Sequence, residues 1–428
     1  YHPITPSPYH PIPLSPHPPI TPSPHLPTPQ QVNAMSLLTP QNQTACIDFL
    51  RDLVRIRSYS GDEGEIAARV ADEMRKLGFH QVYRDRAGNI VGRVGKGTQR
   101  LLFDGHMDTV GIGNPATWQD DPFSGQVQEG MLYGRGSVDM KGGLAAMIYG
   151  VRALLDADAL PKGEVIVAAV VHEEPAEGVA IRSLIDDEGL WPSFVVLGEP
   201  TNLEIALGHR GRVELLVSTE GRACHGSAPE LGENALYAAS KVIFGIELLA
   251  GQLGEDPKLG KGSIAVTGID CPSGSRNMVP DHCELIIDRR LTLGETRERA
   301  VSEIHQILQR EGVRGDVRVA TRETRTYTGH IDRGLEYYPP WLMPEDSPLV
   351  KAAARGVERA LEHKPKLRVW GFSTDGAYTR GEAGIPTVGF GPGDDRLAHT
   401  ANEQVRVADV LLAVEGYAQI ALEVLGRR

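Results

Sequence analysis

The sequence predicts an α/β protein whose main sheet is mostly parallel. From Leu77 onward, apolar runs of strand length alternate with stretches in which apolar residues recur at helical spacing. This alternation is typical of strands joined by crossover helices, which build parallel sheets. The chain has 428 residues, which is too long for one ordinary domain, so we expect two domains.

The predicted elements follow from these patterns in chain order. Two helices come first, "TACIDFLRDLVRIRS" (44–58) and "EIAARVADEMRKLGF" (65–79), separated by the break "YSGDEG". A glycine-rich turn, "GRGSVDMKGG" (134–143), precedes an apolar helix. Four apolar runs predict buried strands: "RLLFD" (100–104), "EVIVAAVV" (164–171), "SFVVLG" (193–198) and "TVGFGPG" (387–393).

Composition and charge narrow the class of partner. Apolar residues make up 41% of the chain and charged residues 23%, as is typical of a globular protein. The formal net charge of -12 argues against nucleic acid and against an anionic membrane surface as partners. No apolar run approaches the length of a membrane span. We therefore expect no nucleic-acid partner and no membrane partner.

Cysteine usage bears on the redox compartment. The four cysteines are Cys46, Cys224, Cys271 and Cys283, and none of them forms a CxxC pair. Four cysteines in so long a chain are too few for a disulfide framework. Reduced thiols and a cytoplasmic location are therefore expected.

Residues 1–34 form a proline-rich tail with twelve of the 30 prolines. Proline fixes φ and lacks a backbone donor, so the tail is expected to be polyproline-like or disordered. We expect the functional chain to begin near Met35. An adaptor role for the tail, with SH3- or WW-like partners, is an alternative that rests on this segment alone.

Residues typical of metal ligands follow the predicted strands. The carboxyl ends of parallel strands lie at one edge of a sheet, where ligands bind in this class of fold. Imidazole and carboxylate groups without thiolates suit Zn²⁺, Co²⁺ or Mn²⁺. The residues that follow the four strands are His106 and Asp108, then Glu173 and Glu174, then Glu199, and finally His399.

The spacing of His106 and Asp108 and the pattern of the glycine-rich turn can each be interpreted further. On an extended segment the side chains at i and i+2 point the same way, so Asp108 can accept the free ring N–H of His106 while the other nitrogen binds a metal. The turn at 134–143 contains Asp139 but matches neither phosphate-binding fingerprint.

The adjacent Glu173 and Glu174 pose a problem of charge. Two like charges at the end of a core strand repel each other unless both face water or a cation lies beside them. Consecutive residues on an extended chain project to opposite sides, so one glutamate can bind a metal while the other faces a cavity. A metal lowers the pKa of its bound water, and the second carboxylate would take the proton.

Together these motifs resemble a known family. "GHMDTV", "GRGSVDMKGG", "HEEP", "GEPT" and the late "AHT..E" occur in the order seen in dinuclear zinc amidohydrolases and exopeptidases. That family includes acetylornithine deacetylase, succinyl-diaminopimelate desuccinylase, aminoacylase and related carboxypeptidases. The resemblance runs from about Thr44 to the end of the chain. It is closest to a branch of hydrolases linked by name to selenium metabolism.

The resemblance implies a role for each motif residue. Asp139 would bridge two divalent metals, with Zn²⁺ expected in preference to Co²⁺ or Mn²⁺. The peptide bond from Asp139 to Met140 would be cis. Asp108 would orient His106, and Glu173 would act as the general base. The remaining metal ligands would be His106 and Glu199 on one metal, and Glu174 and His399 on the other.

The resemblance also implies the domain organisation. A catalytic domain, with a mixed, mostly parallel sheet and helices on both faces, would comprise residues 35–211 and 327–428. A smaller α+β, ferredoxin-like lid or dimerisation domain would be inserted at 212–326. The strand-helix-strand-strand-helix pattern of that segment supports the insertion.

Substrate contacts are implied on both domains. His225 would reach the active site of a partner subunit in a homodimer and stabilise the oxyanion. Asn277 and Arg290 resemble substrate-contacting positions. Thr374, in the loop "GFSTDG" (371–376), resembles the position that receives a substrate carboxylate.

These implications lead to one main hypothesis and two alternatives. The main hypothesis is a metal-dependent hydrolase that cleaves an amide bond next to a free carboxylate in a small-molecule substrate, an N-acyl amino acid or a short peptide, with deacylation of an N-acyl amino acid as the leading case. A dipeptidase or carboxypeptidase is the alternative within the family, and product analysis separates the two. A non-catalytic binding relative is the alternative from a different class, which loss of Glu173 or of two ligands would favour.

Overall fold

The computed structural model describes residues 37–427. The predicted proline-rich tail and the predicted start near Met35 lie outside these residues. Within residues 37–427, no helix combines the length and the apolar character that a membrane crossing needs. The helices are α1 (Pro40–Arg55), α2 (Gly64–Lys76), α3 (Gly142–Asp156), α4 (Val179–Arg182), α5 (Ala235–Ala250), α6 (Arg297–Arg310), α7 (Pro348–Leu361) and α8 (Val407–Leu425).

Most of the strands are short. They are β1 (Gln81–Arg84), β2 (Ile90–Gly95), β3 (Arg100–His106), β4 (Val127–Gln128), β5 (Met131–Tyr133), β6 (Glu164–Val170), β7 (Phe194–Leu197), β8 (Ile205–His209), β9 (Gly211–Glu220), β10 (Cys224–His225), β11 (Glu255–Asp256), β12 (Gly260–Lys261), β13 (Ser263–Asp270), β14 (Met278–Val279), β15 (His282–Leu291), β16 (Gly315–Val319), β17 (Thr321–Arg325), β18 (Ile331–Leu335), β19 (Tyr337–Tyr338), β20 (Trp341–Leu342), β21 (Leu367–Trp370), β22 (Thr387–Gly389) and β23 (Gln404–Arg406).

The main sheet is mixed, with its parallel strands in the centre. Its strand order is β1-β2-β6-β3-β7-β22-β8-β20, and β21 pairs with β8. The pairs β6–β3, β3–β7 and β7–β22 are parallel, whereas β1, β2 and β20 pair antiparallel at the edges. The four central strands therefore end at the same edge, as the sequence predicted.

Helices cover both faces of this sheet. Successive side chains on a strand point to opposite faces, yet six consecutive residues are buried on β3 and again on β6. Continuous burial of this kind requires a layer on each side. Thr39 is the N-cap of helix α1, and its side chain accepts a hydrogen bond from the Asn42 N–H. The apolar face of α1 is buried in the core.

A second, antiparallel sheet has its own hydrophobic core. Its strand order is β13-β15-β9-β16, and β19 also pairs with β9. Burial alternates residue by residue along β9, so one face is covered and the other is open. Helices α5 and α6 contact the sheet, and Ala239, Ile246 and Ile304 join its core. The domain boundaries at 212 and 326 stay predictions.

The expectation of four reduced cysteines is wrong for one pair. Cys271 and Cys283 form a disulfide, whereas Cys46 and Cys224 are free. Asp270 on β13 is paired with Glu284 on β15, so the next residues of the two antiparallel strands face each other directly. The pairing thus follows from strand register, which spacing along the chain does not reveal.

Replacing Phe103 by alanine should destabilise the main sheet. Phe103 is fully buried on β3, and its ring centroid lies 5.1 Å from that of Tyr417 on α8. Phe103→Ala should lower the free energy of unfolding by about 3–5 kcal/mol, because the cavity cannot fully collapse. Urea unfolding followed by tryptophan fluorescence measures this loss. Phe103→Leu, which keeps most of the volume, should cost clearly less, and equal losses would argue against the cavity explanation.

Candidate metal centre

The first group of potential ligands lies at the carboxyl ends of β3 and β7. The Nε2 atom of His106 is 3.1 Å from Oδ1 of Asp139 and 3.5 Å from Oε1 of Glu199. All three side chains are buried. Strand β3 lies between β6 and β7, which brings residues far apart in the chain to one point of the sheet edge.

The second group shares Asp139 with the first. Nε2 of His399 lies 3.1 Å from Oδ2 of Asp139 and 3.1 Å from Oε2 of Glu174. In each group, the ligand atoms lie within 4.8 Å of one another. Asp139 therefore presents one oxygen to each group, which is the arrangement expected of a bridging carboxylate.

Glu173 and Glu174 are separated by a turn and not by strand alternation. Strand β6 ends at Val170, and His172 adopts a left-handed conformation with φ of 62°. The expectation of an extended chain here is wrong, although the two carboxylates do diverge. Glu174 belongs to the second group, whereas Glu173 is in neither group and lines the adjoining cavity.

Asp108 has a different set of partners from the one expected. Its carboxylate accepts the backbone N–H groups of Glu173 at 3.1 Å and Glu174 at 3.2 Å, and the hydroxyl of Ser60 at 2.6 Å. Nδ1 of His106 lies 2.9 Å from the backbone carbonyl of Asp108 but 3.6 Å from its carboxylate. Asp108 thus orients His106 through its main chain and fixes the glutamate turn through its side chain.

The glycine-rich turn is held by Glu403. This buried carboxylate accepts the backbone N–H groups of Gly136, Val138 and Asp139 at 2.8–3.1 Å, and Arg135 donates to it at 2.6 Å. Gly136 has φ of 83°, and a Cβ there would lie 2.7 Å from Thr109, so glycine is required. The Asp139–Met140 peptide bond is cis, as the resemblance implied.

The electrostatics of the two groups call for cations. Burial raises the pKa of Glu173 and Glu199 well above the ordinary value, and it also raises the pKa of Glu174. Burial acts in the same direction on Asp139, but hydrogen bonds with His106 and His399 lower the pKa of Asp139 overall. So many carboxylates cannot all ionise beside each other unless positive charge is supplied.

The donor set fits two divalent metal ions. Each group offers one imidazole nitrogen and carboxylate oxygens, with no thiolate, and buried carboxylates face one another. His106 and Glu199 would hold one ion, Glu174 and His399 the other, and Asp139 both. Nitrogen and oxygen ligands of this kind suit Zn²⁺, Co²⁺ and Mn²⁺.

A cavity of about 350 Å³ opens beside the two groups. It brings together residues of both sheets, because Arg212 and Arg290 come from the second sheet. The predicted substrate contact Arg290 therefore lines the cavity. The other residues that line it are Asp139, Glu173, Glu174, Glu177, Glu199, Phe372, Ser373, Asp395, Ala398 and His399.

Three other predicted residues lie away from this cavity. Thr374 is completely buried, and its backbone N–H donates to Nε2 of His209, so Phe372 and Ser373 form the cavity wall instead. His225 and Asn277 are exposed and adjacent, with 3.4 Å between the Asn277 amide nitrogen and Nε2 of His225. Within this chain, neither of them lines the cavity.

The sequence reasoning missed several residues of the site. Glu403 is the final glutamate of the quoted motif "AHT..E", so a signal existed without an assigned role. Glu177 and Arg212 were not singled out by any motif in the sequence analysis. Asp375, within the quoted loop "GFSTDG", accepts the Gly178 N–H at 2.5 Å, and burial raises its pKa to about 6.

The fold and this arrangement of ligands define a class. Residues 102–423 match the family described as Peptidase family M20/M25/M40, so the chain belongs to that family. It is a metallohydrolase that acts on amide or peptide bonds.

Individual relatives extend the comparison. The uncharacterized protein YgeY of Escherichia coli (strain K12) is 37% identical over 374 residues, which cover 87% of this chain and 93% of YgeY. The succinyl-diaminopimelate desuccinylase of Thioalkalivibrio sulfidiphilus is 26% identical over 85% of this chain and 94% of its own length. The aminopeptidase PepT of Bacillus cereus ATCC 10987 shares the fold with a TM-score of 0.69 and 21% identity, covering 91% of this chain and 99% of PepT.

Replacing Glu403 by glutamine should weaken metal binding without removing a ligand. Glutamine keeps one acceptor oxygen but turns an NH₂ group toward backbone donors, which loosens the turn that carries Asp139. We expect metal affinity to fall by about 10- to 100-fold, measured by competition with a chromophoric chelator. The control is Glu382→Gln, which removes the same charge at a surface ion pair with Arg182. Unchanged affinity in Glu403→Gln would contradict this role.

Proposed function

We propose that the protein hydrolyses an amide bond next to a free carboxylate, with an N-acyl amino acid as substrate. The observation that carries this proposal is the placement of Glu173. It lines the cavity beside both ligand groups but belongs to neither. A carboxylate in that position is free to move a proton at the reacting centre.

The residues of the chain divide the work of such a reaction. When bound, two divalent ions would polarise the substrate carbonyl and lower the pKa of water. Glu173 would take a proton from the attacking water at its carboxylate and pass it to the leaving amine. Because Glu173 belongs to neither ligand group, its carboxylate would be free to hold that proton between the two steps. Arg290, which lines the same cavity, would bind the substrate carboxylate.

A dipeptidase or carboxypeptidase activity is the second candidate. The cavity contains charges of both signs beyond the metal ligands, including Arg212 and Glu177, which suits a small peptide as well as an acyl amino acid. Zn²⁺ is proposed as the working metal on the basis of the nitrogen and oxygen donors.

We also propose a homodimer, in which His225 would reach the partner's site. Helix α5 exposes Tyr237, Phe244 and Leu248 at a spacing that places them on one face, and each is more than 60% exposed. Ile269 is half exposed on β13, the edge strand of the same sheet. An apolar helix face beside an open strand edge supports an interface between two copies.

Replacing Glu173 by alanine tests the proposed reaction. The variant should keep two metal ions per chain, because Glu173 is in neither ligand group, while kcat falls by about 10²- to 10⁴-fold. Metal analysis and turnover would be measured together on N-acetyl and N-succinyl amino acids and on dipeptides, with product identification. The matched variant Glu174→Ala should instead lose metal. Near-normal turnover in Glu173→Ala would contradict the role of Glu173 as the general base.

Placing a charge on the α5 face tests the dimer. Phe244→Glu should convert a dimer to a monomer, because burying an unpaired carboxylate in an apolar interface costs several kcal/mol. Sedimentation velocity measures the change. Trp191→Glu adds the same charge at a side chain that is 51% exposed elsewhere, and it should leave the assembly unchanged. A wild-type protein that sediments as a monomer would overturn the dimer outright.

A further inference from the structure

One carboxylate in the cavity has no role in the reaction described above. Six carboxylates line the cavity, and Asp139, Glu174 and Glu199 belong to the ligand groups. Glu173 is the proposed base. Asp395 is ion-paired with Arg368, with 2.5 Å between Oδ2 and Nη2. Glu177 remains without an assigned role, and the positive charge of Arg212 acts on it without an ion pair closer than 4.0 Å.

One oxygen of the half-buried Glu177 carboxylate has no hydrogen-bond partner among the described residues. Its Oε2 atom is buried and accepts no hydrogen bond from any residue in 37–427. No lysine, arginine or histidine nitrogen in that range lies within 4.0 Å of its carboxylate, although Arg212 lines the same cavity. A buried carboxylate oxygen without a hydrogen bond is costly, so a ligand ammonium group that reaches Oε2 would be bound favourably.

Two arginines that line the same cavity carry the complementary charge; we call them the arginine wall. Arg212 on β9 and Arg290 on β15 are directly paired in the strand register, and both face the cavity. Asp288 lies between them, with its oxygens 3.3 Å from Nε of Arg212 and 2.8 Å from Nε of Arg290. Glu214 also lies 3.7 Å from Nη2 of Arg212, so the acids balance the two arginines in charge while the guanidinium groups still offer donors to a substrate anion.

We propose that Glu177 is a specificity-determining residue that binds a primary ammonium group of the substrate, while the arginine wall binds its carboxylate. The inference rests on the proposed hydrolysis and narrows it to zwitterionic substrates. Burial raises the pKa of Glu177 to about 7, and a neighbouring ammonium group would favour its ionised form.

The ammonium group could belong to the side chain of a diamino acid or to the free amino terminus of a peptide. Two pairs of isosteric substrates distinguish these sources. Nα-acetylornithine and Nα-acetylnorleucine differ by an ammonium in place of a methyl group at the end of the side chain. Glycyl-leucine and N-propionyl-leucine differ in the same way on the acyl side. A preference within the first pair indicates a diamino acid, and a preference within the second indicates a peptide with a free amino terminus.

The test compares the metal-loaded wild type with Glu177→Gln. In the variant, the ratio of kcat/KM for the ammonium substrate to that for its neutral isostere should fall by about 10- to 100-fold in one of the two pairs, the effect of one charge-assisted hydrogen bond. Glu177→Asp, which keeps the charge on a shorter chain, should show a smaller fall. Glu188→Gln removes the same charge from an exposed position that does not line the cavity, and it should leave both ratios unchanged.

Calorimetric binding of ornithine and norleucine, and of glycyl-leucine and N-propionyl-leucine, separates this inference from the proposed function. Suppose that wild type hydrolyses none of the substrates but binds the ammonium ligand in preference to its neutral isostere, and that Glu177→Gln has lost this preference. The inference then stands and the proposed hydrolysis fails. If both ratios in Glu177→Gln match those of wild type within threefold, the inference is overturned whatever the activity. Wild type that shows no preference for either ammonium compound, in turnover or binding, also overturns it.

Discussion

The concentration of carboxylates at one edge of the main sheet is the constraint on which the rest of the site depends. Glu173, Glu174 and Glu199 each have a raised pKa because burial penalises their charged forms. Asp139 escapes this only through its hydrogen bonds with His106 and His399. An arrangement so unfavourable for a protein alone is consistent with the binding of divalent ions, which supply the missing positive charge. The metal centre is therefore the condition under which this sheet edge becomes electrostatically balanced.

Holding such ligands in place requires backbone conformations that the residues do not prefer. His172 and His399 have φ values of 62° and 61°, in the left-handed region where side chains other than those of glycine are uncommon. Each lies in a turn beside the ligands. Buried acids stabilise the neighbouring backbone, since Asp108 accepts two N–H groups of the glutamate turn and Glu403 accepts three of the glycine-rich turn. Two carboxylates that do not belong to the ligand groups thus preorganise those that do.

The candidate ligands other than Asp139 could be predicted from the sequence because they follow predicted apolar strands, whose carboxyl ends converge in a parallel sheet, whereas Asp139 was indicated by the family resemblance. What the sequence did not provide is anything that depends on how separate segments meet. The Cys271–Cys283 disulfide needs the register of β13 against β15. Glu177 and Arg212 become neighbours only when the second sheet packs over the first, and neither belongs to a repeated pattern. Thr374 was selected by position in a loop, yet its neighbour Ser373 faces the cavity.

The cavity combines two layers of different origin, and this separates chemistry from selection. The two ligand groups and Glu173 all come from strand ends and turns at the edge of the main sheet, so their mutual distances are fixed by one hydrophobic core. Arg212 and Arg290 come from the second sheet, which has a core of its own. Changes in the second sheet can therefore alter which charges a substrate must carry without moving the metal ligands. Proteins with this division of the site are expected to share one reaction centre and to differ in substrate, because the arginine wall can change while the electrostatic balance at the sheet edge is kept.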